Sequence, residues 1–353
     1  MRHLHIAVFL VSIALISFEV SLMQVLSFVQ WQHFAAMIIS IALLGFGASG
    51  TLISLARDWM LDRFDRLIPW LLTASAGAIA AAVPLSQFPA ARFDSYLIFV
   101  DSAHALGLLL TYLILVIPFF FGALVVGLSF VKHTQDIGRL YFWNLLGSGL
   151  GAILPIILMW WVEPAVLAPL SALPAAFGAL LTSGQTSSAT SSRMARPAAT
   201  LALAISIGLA LYPATLEPSQ FKDIRRALDL PDARVTKRQA SPLGFVQIVT
   251  TPVTRTAPGL SLNFRGLIPV RDLAFVNGDA AGAVRGWVPG DSIQVLDYTS
   301  RALPFELAPR NRVLILGSGT GGAISLALSR GADQIVAVEP NLALTSILRT
   351  DPG

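Results

Sequence analysis

The sequence predicts an α-helical multi-span membrane domain, then a small β-rich unit, then the first half of an α/β domain. Three observations carry that reading. The 353 residues are 55% hydrophobic and only 12% charged, with a mean hydropathy of +0.70, whereas an average soluble domain is nearer a quarter charged. The charges are uneven: residues 1–213 hold 17 of the 44 Asp, Glu, Lys and Arg, and residues 214–353 hold 27. Near the C-terminus, an apolar run, a glycine cluster, a helix-like segment and a second apolar run ending in Glu339 follow one another. This composition excludes a disordered chain and an ordinary soluble enzyme along the whole length. The absence of cysteine excludes disulfides, thiolate metal sites and a cysteine nucleophile. The pI near 9.8 reads as basic cytoplasmic loops rather than nucleic-acid binding.

Residues 1–216 form the predicted membrane domain. A span needs about 20 mostly apolar residues, because the hydrocarbon core is roughly 30 Å thick and a helix rises ~1.5 Å per residue. Six segments qualify: Ile6–Val29, Phe34–Ala56, Leu67–Phe88, Ala103–Val131, Leu145–Val162 and Ala165–Thr182. A seventh, Ala198–Leu216, is weakened by Pro197 and Pro213. The first is too long for a signal-peptide apolar region and is read as retained. Trp31, Trp59, Trp70, Trp143, Trp160 and Trp161 fall near span ends, where amphipathic rings favour the interface.

Basic residues occupy alternate loops: Arg57, Arg63 and Arg66; Lys132 and Arg139; Arg193 and Arg196. The intervening loops hold only Arg92. The positive-inside rule therefore puts the N-terminus in the cytoplasm. Six spans would keep the C-terminal part cytoplasmic, the side expected for it, and seven would place it outside. Glu19 lies mid-span, which suits either a substrate or proton site or a hydrogen-bonded group that pins helix packing. His104 reads as interfacial. Gly45, Gly47 and Gly50, and then Gly147, Ser148, Gly149 and Gly151, lie inside apolar spans with no preceding strand, so they read as close helix packing. Ser183–Ser192 is a polar linker.

Residues 217–305 form the β-rich unit. Phe245–Thr250, Leu260–Phe264, Leu273–Val276 and Ser292–Leu296 are rich in β-branched or aromatic residues and punctuated by Gly and Pro. Residues 306–353 begin the α/β domain. Val313–Leu316 suits a buried parallel strand. Gly317-Ser318-Gly319-Thr320-Gly321-Gly322 follows at once, Ala323–Arg330 reads as a helix, and Gly331 stops it. Ile335–Val338 is the second strand. Glycines allow a tight turn and close backbone approach to a ligand. The helix N-terminus offers unpaired N–H groups and a positive dipole end. A carboxylate at Glu339 suits the ribose hydroxyls of a nucleoside. The spacing fits both G-x-G-x-G and G-x-G-x-x-G, so by itself it leaves an S-adenosylmethionine-type ligand and a dinucleotide open.

The flanks add a resemblance. RVLILGSGTGGAISLALSRGADQIVAVEPN resembles the first half of the nucleotide site of spermidine synthases and related Rossmann-type methyltransferases. LDYTSRALPFEL is similar to the family's tyrosine-containing segment, FVNGDAAGAV to its aspartate-glycine stretch, and SPLGFVQIVTTP and APGLSLNFRG to its β-hairpins. RLYFWNLLGSGLG and FEVSLMQVLSF resemble segments of spermidine synthase-like proteins fused to membrane helices. The resemblance implies a polyamine aminopropyltransferase-like transferase of the S-adenosylmethionine methyltransferase fold. The nucleoside of S-adenosylmethionine or its decarboxylated form would be held by Gly317, Ser318, Gly319, Thr320, Gly321 and Glu339. Tyr298 would lie toward the substrate, putrescine or another polyamine, and neither a metal nor nucleic acid takes part. Methyl transfer, or a non-catalytic membrane protein with a vestigial nucleotide domain, are the alternatives. Thr320 replaces the family's acidic loop residue, Asn277 and Asn144 replace aspartates, and Gly353 falls before the family's catalytic aspartate. The catalytic residues are therefore unassigned, and the chain reads as truncated.

Overall fold

A computed structural model describes residues 2–184, 189–284, 294–307 and 311–350. The chain divides into two compact units, one ending at Ser219 and the other beginning at Gln220.

The first unit is helical. Its elements are α1 (Arg2–Val29), α2 (Ala35–Leu55), the short α3 (Arg57–Asp62), α4 (Phe64–Ser86), α5 (Ser102–Lys132), α6 (Ile137–Leu158), α7 (Pro164–Ser183) and α8 (Ala189–Leu211). Among the described residues, seven helices are long and apolar enough to cross a membrane, which makes this an integral membrane protein. The seventh departs from expectation. It begins at Ala189 rather than Ala198, so Arg193 and Arg196 lie on a helix instead of in a loop, and it stops at Leu211, ahead of Pro213. Pro197 falls within it. α6 also begins before its expected start and takes up Arg139 to Asn144. Residues 185–188 of the expected linker lie outside the described residues, while Ala189–Ser192 are helical.

α1 is the hub, packed chiefly on α6 and α7 and also on α5 and α2. Small residues make the approach close. A side chain at Gly147 would collide with the carbonyl of Phe9, and one at Gly151 would stand 2.7 Å from the carbonyl oxygen of Ile13. Gly45 is pressed against Phe119 in the same way. Gly47, Gly50 and Gly149 face open space, so packing accounts for only part of the expected glycine set. Polar side chains complete the seam. Ser12 donates to Asn144 Oδ1 at 2.9 Å, Ser17 donates to the Gly151 carbonyl at 3.0 Å, and Ser21 pairs with Ser171 at 3.1 Å.

Contacts at the helix ends show an up-and-down order. At one end a cavity brings together His3, Phe64, His133 and Thr182, and His5 meets Asp136 at 2.7 Å. At the other, Gln30 donates to the Phe93 carbonyl, Ser219 donates to Val29 O and to Asp94 Oδ2, and Glu217 pairs with Arg92. His104 belongs to that second end, its Nδ1 accepting from Asp94 N–H. The chain thus enters the bundle at one end and leaves it at the other.

The second unit opens with α9 (Asp223–Leu228) and a four-stranded antiparallel sheet in the order β1 (Arg234–Gln239), β2 (Val246–Thr250), β3 (Leu273–Val276), β4 (Asp279–Ala283). Asn277 and Gly278 join β3 to β4 at φ of 51° and 79°, the two left-handed positions of a tight hairpin. α13 (Leu342–Thr350) covers one face of the sheet through Ala343, Leu344 and Ile347. α9 covers the other through Ile224 and Ala227.

Two expected strands are corrected. Leu260–Phe264 turns instead of extending, with Leu260 alone bridging to Thr299 and Ser261 Oγ accepting from Asn263 N–H. Of Ser292–Leu296, the first two residues lie outside the described set, and Gln294–Asp297 form a helical turn, α10. Val295 and Leu296 both enter one core cluster; a strand would send neighbours to opposite faces. After α11 (Leu303–Leu307), β5 (Arg312–Leu316) and β6 (Gln334–Val338) pair in parallel around α12 (Gly322–Ser329). One face of this pair is packed. The other shows Leu314, Leu316, Val336 and Val338, each 47–74% exposed. A wider doubly wound sheet is not formed among the described residues.

Lys222 is wholly buried, donating to Asp279 at 2.8 Å and to the Asn277 carbonyl at 2.9 Å. Burial holds its ammonium below the usual lysine range, with Asp279 opposing that shift.

Two outcomes are expected. Gly147→Leu forces α6 away from α1 and lowers stability by about 1–3 kcal/mol, the usual range for overpacking, while Gly149→Leu is tolerated; thermal unfolding of the two variants in detergent checks this. For Lys222, the unfolded chain binds the proton more tightly, so stability rises as pH climbs toward the ordinary lysine value. Lys222→Met flattens that rise, and Asp279→Ala, which strips the buried ammonium of its carboxylate, destabilises by about 1–3 kcal/mol.

Candidate functional site

The loop between β5 and α12 is built by its glycines. Gly317, Gly319 and Gly321 have φ of 71°, 54° and 86°, a region where a Cβ is strained. Three left-handed residues within five fold the chain back so that Gly321 caps α12. The amides of Gly317 and Ser318 both point to the Val338 carbonyl, at 2.8 and 3.2 Å. The loop is thereby tied to the end of β6.

Glu339 follows directly. Its Oε2 accepts from Gly319 N–H at 2.8 Å, and its Oε1 accepts from Asn341 N–H at 3.0 Å. Two backbone donors fix the carboxylate against the middle of the glycine loop. Charge-assisted bonds of this kind are stronger than neutral ones. Each carboxylate oxygen keeps a second lone pair, which suits a hydroxyl donor such as a diol.

The loop has a second wall. Thr320 is 3% exposed, and its Oγ1 lies 2.7 Å from where a Cβ would stand on Gly282. Gly282, at φ 132°, is therefore glycine both for its backbone and for this approach. An acidic side chain in place of Thr320 would be crowded here. Ser318 is also buried.

Gly317, Ser318, Gly319, Thr320, Gly321 and Glu339 are therefore one contiguous group. Tyr298 is engaged elsewhere: its ring lies 5.3 Å from that of Phe264, and its carbonyl accepts from Ser261 N–H at 2.7 Å. Half of its side chain stays exposed. Asn277 serves the hairpin turn, its Oδ1 accepting from Phe245 N–H at 2.8 Å.

Two features were not foreseen from the sequence. Arg301 Nη1 stands 3.2 Å from the Cβ position of Gly322, beside the N-terminus of α12. Arg330, at the other end of α12, pairs with Asp297 at 2.9 Å and with Glu306 at 2.6 Å, anchoring the helix to α10 and α11. Neither has a sequence signature, because each pairing depends on how short helices turn.

In the membrane unit, Glu19 lies half-buried on α1. Asn144 accepts from Ser12 and so serves the α1–α6 seam. Among the described residues no cluster of three or more His, Asp or Glu is placed to hold a metal ion. Comparison of the chain with known protein families, with curated proteins and with solved structures finds no match.

Glu339→Gln keeps one acceptor but turns an amide NH2 toward a backbone N–H. The expected loss is about 1 kcal/mol, as for one hydrogen bond of a half-buried group, measured as a lower urea midpoint for the C-terminal unit.

Proposed function

We propose that the chain is a spermidine synthase-like integral membrane protein whose C-terminal unit binds an adenosyl ligand. In this reading, the opening half of a Rossmann-type methyltransferase-like domain holds S-adenosylmethionine or its decarboxylated form. The Gly317–Gly321 loop lies under the nucleoside, and Glu339 takes the ribose hydroxyls. Aminopropyl transfer to putrescine is the activity the resemblance implies, with Tyr298 on the acceptor side. The observation that supports the ligand class is the Glu339 carboxylate, held by two backbone amides at the centre of a left-handed glycine loop.

Arg301 favours a second reading. A cation beside the α12 N-terminus reinforces the positive potential there. That suits a ligand with a carboxylate, which S-adenosylmethionine has and its decarboxylated form lacks. Methyl transfer then replaces aminopropyl transfer.

The membrane reading is finer still. Eight of the nine Lys and Arg of residues 1–219 belong to the N-terminus or to segments at the same end of the bundle, and Arg92 alone belongs to the other. The positive-inside rule makes the first end cytoplasmic, and the resemblance to membrane-fused bacterial proteins implies a bacterial inner membrane. Seven crossings would put Gln220 on the far side, and six would keep it on the cytosolic side. Cytosolic adenosyl donors reach the C-terminal unit only in the second case, and the first case favours the non-catalytic reading.

Two experiments separate these readings. The cysteine-free chain allows single-cysteine labelling in intact cells: an impermeant maleimide should reach Gln135→Cys only after permeabilisation, and reaction of Gln220→Cys without permeabilisation would put the C-terminal unit outside and overturn the enzymatic readings. Protection of both would return the C-terminal unit to the cytosol. Calorimetric titration of the full chain in detergent separates the two transfers: tighter binding of the decarboxylated donor supports aminopropyl transfer, and tighter binding of S-adenosylmethionine supports methyl transfer. Glu339→Ala should weaken binding about tenfold or more, since each charge-assisted bond contributes roughly 1.5–3 kcal/mol. Absence of heat for both donors, or unchanged affinity in Glu339→Ala, overturns the adenosyl assignment.

A further inference from the structure

We propose that an open pocket at the N-terminal end of the membrane unit binds the phosphate of an anionic phospholipid headgroup, with Lys132 and Arg139 as its cationic walls. The proposal concerns the membrane unit alone and is independent of any ligand in the glycine loop. The pocket, of about 530 Å³, lies where the connection between α5 and α6 meets the start of α1, and Thr134 and Gln135 complete its polar rim.

The charge balance favours an anion. Lys132 donates to the Leu61 carbonyl at 3.1 Å, a neutral acceptor that leaves its positive charge uncancelled. The Arg139 guanidinium is 80% exposed and stands 3.7 Å from Asp136. The Asp136 carboxylate is already engaged by His5 at 2.7 Å. His133, the remaining titratable group on the lining, is held below its ordinary value first by burial and then by positive charge that includes Lys132, against the opposing pull of Asp65 and Asp136. It therefore contributes a neutral ring at pH 7. Two cations face one carboxylate, which is shared.

The surroundings favour a lipid over a free phosphate. Directly below Arg139, α6 presents Phe142, Leu146, Leu150, Ile153 and Ile157, all 41–58% exposed. Their spacing of three and four residues makes one continuous stripe. A phosphate between Lys132 and Arg139 would place its acyl chains along that stripe. Basic pockets at the ends of membrane helices recognise headgroups through this combination of charge and adjacent apolar surface.

The test uses the full chain in detergent, with retention of phosphatidylglycerol against phosphatidylcholine read by native mass spectrometry. K132Q/R139Q should lower the preference for phosphatidylglycerol by roughly fivefold for each charge removed. R57Q/R66Q removes the same charge from the same end and should leave the preference unchanged. Circular dichroism checks that both variants remain helical. Equal losses in the two double variants would reduce the effect to diffuse surface potential and overturn the site, as would full retention in K132Q/R139Q. Glycerol phosphate in lipid-free detergent is the last arm. Stabilisation by it equal to that by phosphatidylglycerol would make this a soluble-phosphate site, and the lipid assignment would fall.

Discussion

In hydrocarbon, a backbone N–H or C=O has no water to bond, so each span must satisfy itself as a helix. Helices that are already satisfied gain little hydrophobic energy from one another, because lipid is as apolar as leucine. What joins them is close packing and polar contact. The membrane unit depends on that constraint, and α1 carries it. Gly147 and Gly151 let α6 approach the carbonyls of Phe9 and Ile13, and Ser12, Ser17 and Ser21 direct their hydroxyls across the same seams. Residues that look like a ligand loop when read in a row therefore act as a packing surface. Gly149, between them, points away and contributes nothing to the seam.

The C-terminal unit obeys a different constraint, because water competes for every polar group. Its organisation depends on left-handed residues at a few turns. Asn277 and Gly278 close the β3–β4 hairpin, which places Lys222 against the Asn277 carbonyl and Asp279 and Gly282 against Thr320. Gly317, Gly319 and Gly321 turn β5 into α12 and bring the Gly319 amide onto Glu339. The candidate site is thus a by-product of backbone geometry more than of any single reactive side chain, which fits binding better than acid–base chemistry. The apolar residues on the open face of β5 and β6 belong to the same picture, since a two-stranded parallel sheet has one face with no layer above it.

Much of this was legible in the chain. Helix positions followed from hydropathy, because span length is a property of local sequence. β2 and β3 followed from their β-branched and aromatic content. β1 and β4 did not. Arg234–Gln239 is heavily charged, as suits an edge strand, and Asp279–Ala283 has little strand propensity. Its signal was the Asn-Gly pair, which marks a tight hairpin and implies a strand on either side. Val295 and Leu296 were misjudged for the opposite reason: a short apolar run does not reveal whether its neighbours share a face. The glycine loop with Glu339 was readable in full, because all of its parts lie within 23 residues of one another. Arg301, which depends on a helical turn ahead of β5, was not.

Composition and periodicity determined that the first part of the chain holds membrane-length apolar helices, that the positive charge gathers in alternate segments, and that a glycine loop is followed by an acid. Those are local properties, set by hydration and by short-range backbone preference. Tertiary structure decided the extent of the last long helix, which begins nine residues earlier than its apolar segment and stops ahead of Pro213. The hydrogen bonds of Ser219 to Val29 and Asp94 then place the exit of the chain opposite its start. It also decided which glycines pack, which aspartate holds the buried lysine and which cation stands by α12. Each of these is a contact between residues far apart in sequence, and no local propensity encodes the distance between them.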